Sequence, residues 1–235
     1  MRNIRTTVNK AIVQKLLPAD QYPFKGYTIP SGQNIKKALD WDAIQKLLNY
    51  QPTNEKKEKA FDFWLFSYLC NGMNMTDIAH LQKTDMDIEF LQFRRRKTIR
   101  TRKKDQRPIR VALHTRAKTI IAKYETTDNP YVFGILEPGL SPVTEWNRVQ
   151  HFIKFINKHM KEIASELNIE LGANYELTTY VARHSFATRL ERKGASTDEI
   201  SEYFGHASVE TTKNYLDSFE DDLLKQRSLL LTDDI

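Results

Sequence analysis

Cysteine occurs once in the 235 residues, as Cys70 inside an apolar run, so no disulfide can close within the chain and no Cys-rich zinc pattern exists. A lone thiol suits a reducing compartment, and the expected location is cytoplasmic. No stretch approaches the roughly 20 apolar residues that a membrane-spanning helix needs, so a membrane is not an expected partner. The opening segment MRNIRTTVNKAIVQKLL is amphipathic and lacks an apolar region followed by a small-residue cleavage site, which rules out a secretory signal. There is no internal repeat and no low-complexity tract. No metal-ligand pattern is visible, and no cofactor is expected.

What is present is enough for a core. Hydrophobic residues make up 40% of the chain, which argues against wholesale disorder. The length corresponds to one large domain or a domain and a half. Lys and Arg number 36 against 30 Asp and Glu, a net charge of +6 that is compatible with a polyanionic partner without proving one.

The apolar spacing divides the chain. Residues 3–17 read as a helix, with Ile4, Val8, Ile12 and Leu16 forming one stripe and Pro18 stopping it. Residues 18–36 hold three prolines and two glycines, the mark of a connector. A helix cut off by a long linker looks like the end of a preceding domain. The expected organisation is therefore a last helix of a truncated domain (1–17), a linker (18–36) and a main domain with a C-terminal tail helix (37–235).

From residue 40 the pattern is mostly helical. Asp40 can cap a helix through DAIQKLLNY, residues 54–70 form a helix ended by Asn71-Gly72, and Thr76 can cap the short MTDIAHL helix. Ser141-Pro142 opens a long helix. Its apolar residues Trp146, Val149, Ile153, Ile156, Met160, Ile163 and Leu167 are spaced as a core-packing stripe. Short helices follow over about 178–192, 196–204, 208–217 and 219–229, with Gly194 and Gly205 at breaks.

Strand character is confined to MDIEFLQF and the segment after it, RRRKTIRTRKKDQRPIRVAL, which together read as a hairpin. From Arg94 to Arg110 there are ten Lys or Arg and one acid, Asp105. One reading is a solvated hairpin; the other is a phosphate-tracking surface, with Arg94, Arg96, Arg100, Arg102, Lys103 and Lys104 as candidate contacts. Alternate strand residues face opposite sides, so about half of these cations can meet one ligand.

The stretch TTYVARHSFATRLERKGASTDEISEYFGHASVETTKNYLDSF places Arg183, His206 and Tyr215 on consecutive short helices, which can fold onto one cleft. A phenol with a pKa of ~10 attacks a phosphodiester only if cations stabilise the charge that grows on the non-bridging oxygens. Without a metal, Arg and His must supply that charge.

VARHSFAT resembles the second arginine box of tyrosine recombinases, H-x-L-R-H-[ST]-F-A-T. FGHASVETTKNYL resembles their L-G-H-x-x-x-x-T-T-x-x-Y box. The spacing fits as well, with 23 positions from Arg183 to His206 and nine more to Tyr215. The resemblance covers about residues 40–220, and the wording of the boxes is most similar to integrases of Bacteroides-type mobile elements. It implies a mainly α fold with a small antiparallel β-sheet (α+β), the tyrosine-recombinase catalytic-domain fold. It also implies that the opening helix is the tail of a core-binding domain. The implied activity is site-specific cleavage and rejoining of double-stranded DNA through a 3′-phosphotyrosyl link. Self-association on DNA, as a tetramer in synapsis, goes with that activity. The implied roles are nucleophile for Tyr215, phosphate clamp for Arg183, hydrogen-bond donor to the same phosphate for His206, and proton donor to the leaving 5′-oxygen for Lys97.

Two departures from the family stand out. Its first catalytic arginine lies in G-L-R-x-x-E-L, and the matching G-M-N-M-T-D-I places neutral Asn74 there; Asn71 fills the other position where relatives carry this arginine. Either another arginine such as Arg96 or Arg100 reaches the phosphate, or activity is weak. Tyr180 stands where the family often has His, three residues before Arg183. A DNA-binding regulator without chemistry is the alternative reading, since residues 196–215 can be read as helix-turn-helix.

Overall fold

Helix α1 spans Arg2–Val13, and none of its residues is buried. It stops short of Leu17, the expected end. Lys15 turns left-handed at φ 58°, and the amides of Leu16 and Leu17 fold back onto the Ala11 carbonyl, so the helix is closed before Pro18 is reached. A computed structural model describes residues 1–29, 38–99, 108–170, 176–205, 209 and 211–212 of the chain. The chain forms two compact units, Met1–Ile35 and Lys36–Ile235. In the first, Phe24 is buried, and Arg5 donates to the Tyr22 hydroxyl at 2.8 Å.

In the second unit, side-chain caps set the helix starts. The Asp40 carboxylate accepts from the Ala43 amide at 2.8 Å and starts α2 (Trp41–Leu48). Asn54 caps α3 (Glu55–Leu69) through the Lys57 amide at 3.0 Å. The helix ends where Asn71 and Gly72 both take positive φ. Helix α4 (Met75–Ala79) has Asn74, not Thr76, at its N-cap. Thr76 lies inside the turn, where its carbonyl meets His80 Nδ1 at 2.7 Å.

Strands β1 (Phe90–Phe93) and β2 (Ile109–Ala112) pair antiparallel, Phe90 opposite Ala112 and Phe93 opposite Ile109. Between them, Arg96–Ile99 forms the single turn α5, so Lys97 stands on a helical turn rather than on a strand. Residues 100–107 lie outside the described residues, and with them Arg100, Arg102, Lys103 and Lys104. Helix α6 (Thr115–Tyr124) was not expected. It buries Ala117, Ile120 and Ile121.

Helix α7 (Pro142–Glu166) starts at Ser141, whose hydroxyl accepts from Thr144. Its buried line is Val149, Phe152, Ile156, Met160 and Ile163. Ile153 and Leu167 are only half-buried, and Trp146 is 62% exposed. A strict 3-4 repeat averages 3.5 residues while the helix turns every 3.6, so Trp146 and Leu167 drift off the core toward the ends, and in the middle Phe152 rather than Ile153 takes the buried position. Helix α8 (Thr179–Arg192) and helix α9 (Thr197–Tyr203), the latter opened by a Ser196–Glu199 capping box, follow.

The core is centred on α3, which packs against α6, α7 and α8. Phe61, Phe63, Trp64, Leu65 and Phe66 are all buried there. Phe63 meets the edges of Phe133 and Phe152 at 5.1 and 4.8 Å, an arrangement aromatic pairs favour. A second, small cluster of Ala187, Ile200 and Phe204 ties α9 to α8. Among the described residues no helix is long and apolar enough to cross a membrane, and no group of His, Cys, Asp and Glu could hold a metal ion.

Candidate active site

Arg183 lies on the inward face of α8, where Val181, Ala182, Ser185 and Ala187 are also buried. The arginine itself is 3% exposed. A guanidinium taken that far from water needs partners. Its Nη1 donates to the Gly72 carbonyl at 2.9 Å and its Nη2 to the Phe204 carbonyl at 3.2 Å, while the cation lies 3.7 Å from the centre of the Phe204 ring. One side chain thus joins three segments: the turn after α3, the middle of α8 and the end of α9. His206 follows Phe204 by two residues in the chain.

A second guanidinium reaches the same carbonyl. Half-buried Arg95, just after β1, donates through Nη1 to Phe204 O at 3.3 Å. Asp77 on α4 is buried alongside. Burial pushes its carboxyl above the ordinary range. The Arg96 amide, which it accepts at 2.9 Å, opposes that shift, as do the Arg95 charge, a hydrogen bond with the Asn74 side chain and the Arg183 charge. Asn74, at the N-cap of α4, therefore places its neutral amide on Asp77.

On the other side of the hairpin, Arg94, Arg96 and Arg110 line an open cleft of about 800 Å3 with Gln92, Asp77 and His80. Arg96 is held at both ends, by Asp77 at its amide and by Glu145 at its guanidinium, 3.4 Å away. His80 Nε2 holds the same Glu145 oxygen at 2.7 Å; that bond, with the charges of His80 and Arg96, keeps the Glu145 carboxyl below its ordinary range. Lys97, next along α5, is exposed. Tyr180 is one turn before Arg183, 41% exposed, with its ring edge-on to His184 at 4.6 Å.

Of the residues singled out from the sequence, Arg183 and Asn74 meet around Asp77. Arg94 and Arg96 share the cleft, Lys97 stands beside them, and Tyr180 is on the exposed side of α8. His206 and Tyr215 lie outside the described residues. In the box that ends at Tyr215, Thr211 is exposed and Thr212 is fully buried. Sequence reading passed over Arg95, His80, Glu145 and the role of Gly72. For Arg95 a signal existed: Leu91 and Phe93 are buried, Gln92 and Arg94 exposed, and the same alternation turns Arg95 inward and Arg96 out.

The arrangement suits an anion. Two guanidiniums converge there beside a buried carboxylate, in a place with little water, where each charge acts strongly.

Comparison with known proteins gives a consistent result. Residues 37–221 match the family model described as Phage integrase family. Tyrosine recombinase XerA of Pyrococcus furiosus is 26% identical over 189 residues, covering 78% of this chain and 58% of its own length. Tyrosine recombinase XerD of Listeria innocua is 25% identical over 200 residues, covering 80% and 60%. The chain thus spans about three fifths of the length of these relatives. Among solved structures, the XerA recombinase crystal structure superposes with a TM-score of 0.53 at 21% identity, over 86% of this chain and 66% of that one. The Tn1549 transposon integrase in complex with a circular intermediate DNA superposes with a TM-score of 0.59 at 13% identity, over 95% and 77%. At these identities the structures establish a shared fold: mostly helical, with a small two-stranded antiparallel sheet.

Proposed function

The chain belongs to the phage integrase family, and from that premise we propose that it is a site-specific recombinase that cuts and rejoins double-stranded DNA through Tyr215. The phenolic oxygen attacks the scissile phosphorus. The bond from phosphorus to Tyr215 forms as the bond to the 5′-oxygen breaks, the phenolic proton passes to solvent, and Lys97 gives a proton to the leaving oxygen. One phosphodiester replaces another, so a 5′-hydroxyl from a second strand reverses the step and joins the DNA. Arg183 and His206 stabilise the charge on the non-bridging oxygens. Each such donor is worth about 10²–10³ in rate.

The observation that carries this reading is the place of Arg183. Its guanidinium links Gly72, in the segment that matches the family's first box, to Phe204, in the segment that holds His206. A purely structural arginine has no need to stand where three motifs of a phosphoryl-transfer family meet.

The finer assignments belong to the same proposal. The wording of VARHSFAT and FGHASVETTKNYL supports a reading as a mobile-element integrase. Arg94 and Arg96 face an open cleft beside the hairpin, as a surface that tracks phosphates requires. Strand exchange calls for self-association on DNA, a tetramer in synapsis. Residues 1–17, with α1 over Arg2–Val13, are read as the end of a core-binding domain, 18–36 as a linker, and 37–235 as the catalytic domain with a C-terminal tail helix. The chemistry described needs no cofactor, and the reaction is assigned to the cytoplasm.

The test is a pool of nicked duplexes with randomised arms. Covalent protein–DNA complexes recovered under denaturing conditions identify the cleaved sequence. An adduct from the wild type that is absent in Tyr215→Phe supports the enzyme. Sequence-selective binding with no adduct supports a DNA-binding regulator instead.

A further inference from the structure

The family's first arginine position holds Asn74, whose amide is engaged by Asp77 and carries no charge. The structure nevertheless brings a second guanidinium to Arg183. Arg95 and Arg183 donate to one and the same oxygen, the Phe204 carbonyl, at 3.3 and 3.2 Å. Two cations do not share an acceptor without compensation, because at that separation they repel. Asp77 supplies part of it, buried within the field of both. Two guanidiniums thus converge on one point, the geometry that a two-armed clamp on one anion requires.

The hairpin register selects this arginine. Leu91, Phe93 and Arg95 are the inward residues of an alternating run, and Arg94 and Arg96 face the cleft on the other side. Arg96 has its guanidinium beside Glu145, which takes it from the competition for the scissile phosphate. Gly205, directly after the shared carbonyl, sits close against Ile109 of β2 and has the Arg95 side chain in its neighbourhood, so the strand pair and the turn leading to His206 are packed as one piece.

We propose that Arg95 is the second phosphate clamp, taking over from the hairpin the charge that Asn74 lacks, and that it contacts the scissile phosphate together with Arg183. This rests on the recombinase reading above. It differs from the expectation that Arg96 or Arg100 fills the gap. The ligand is the anionic phosphodiester, one non-bridging oxygen per guanidinium.

The test compares two forms of the duplex recovered from the nicked pool: one with the natural scissile phosphate, one with a methylphosphonate in its place. The methylphosphonate has no negative charge to stabilise, so a missing clamp matters less. Arg95→Gln keeps a donor toward Phe204 O and much of the packing but removes the charge. Its adduct formation is expected to fall about a hundredfold or more on the natural phosphate, and to lie within a few-fold of wild type on the methylphosphonate. An equal loss on both substrates makes Arg95 a brace for the Phe204 carbonyl and overturns the assignment. So does selective recovery in Arg96→Gln but not in Arg95→Gln. Absence of any adduct from the wild type overturns the recombinase reading itself, whereas a wild-type adduct undiminished in Arg95→Gln overturns the clamp alone.

Discussion

A methyl group added at Gly72 would stand 2.7 Å from the Cα of Arg183 and 2.8 Å from its Cγ. The turn after α3 therefore carries α8 directly on its backbone, and that contact lets the Gly72 carbonyl reach the guanidinium. Gly72 also has a φ of 60°, which L side chains adopt only at a cost. Gly72→Ala is expected to destabilise the protein by about 2 kcal/mol or more, from backbone strain and displacement of α8 together. Gly139→Ala isolates the first of these: its φ is 81°, but nothing lies within 4 Å of the added carbon. Urea midpoints of the two variants measure the difference. Equal losses in both would show that the approach to Arg183 costs nothing.

Arg183→Lys keeps the charge and removes the fork. A lysine cannot span the Gly72 and Phe204 carbonyls in the plane that Arg183 uses, so at least one of these buried carbonyls loses its bond to this side chain, Phe204 O keeping the one from Arg95. The expected cost is about 1–3 kcal/mol in stability, with adduct formation down by about 10²–10³. Denaturant unfolding and the nicked-duplex assay read the two effects separately. A lysine variant with wild-type activity would mean that a point charge suffices and that the forked geometry is incidental.

Much of the architecture was legible because local rules dominate it. Asp40, Asn54, Ser141 and Ser196 each cap a helix by hydrogen-bonding an amide of the first turn. The hairpin followed from alternation. What was not legible depends on where neighbours end. Trp146 fits the apolar spacing of α7, yet it is 62% exposed, whereas Trp64 is buried in the middle of α3 and donates its ring N–H to the Thr178 carbonyl at 3.1 Å. Arg95 was hidden among ten cations because charge density ranks them alike, and only register separates inward from outward. The two tryptophans give a direct check. Trp146→Ala is expected to change stability by less than about 0.5 kcal/mol, and Trp64→Ala to cost about 3–5 kcal/mol. Comparable losses would place Trp146 in a core that the fold does not give it.

Asp77 makes stability depend on pH in a particular direction. Its folded-state carboxyl titrates above the ordinary range because it is buried, while in the unfolded chain it titrates near the reference value of about 3.9. Between those two values the native state holds the proton and the unfolded state has lost it. Unfolding free energy from this group therefore falls as pH rises through that window, and is flat above it. Glu145 and Glu162, whose carboxyls are lowered by His80 and His159, act in the opposite sense in the same region, so the wild-type curve alone is a mixture. The difference between wild type and Asp77→Asn removes them. That difference is expected to shift against the wild type as pH rises from about 4, measured as unfolding free energy in urea at a series of pH values. A difference that does not change with pH would show that Asp77 titrates alike in both states.

Lys97 stands on α5 one residue after Arg96, whose amide and guanidinium are both held, so its backbone is fixed while its exposed side chain is free to reach outward. That suits a donor that must follow a leaving group. If its task is to protonate the 5′-oxygen, its loss matters only when that oxygen leaves badly. Lys97→Ala is expected to slow adduct formation by about 10²–10⁴ on a natural duplex. On a duplex in which sulfur replaces the bridging 5′-oxygen the deficit should largely vanish, because a thiolate departs without a proton. The two rates are read from the same denaturing gel. A deficit of equal size on both duplexes would assign Lys97 to phosphate binding, and the proton would then have to come from elsewhere in the hairpin.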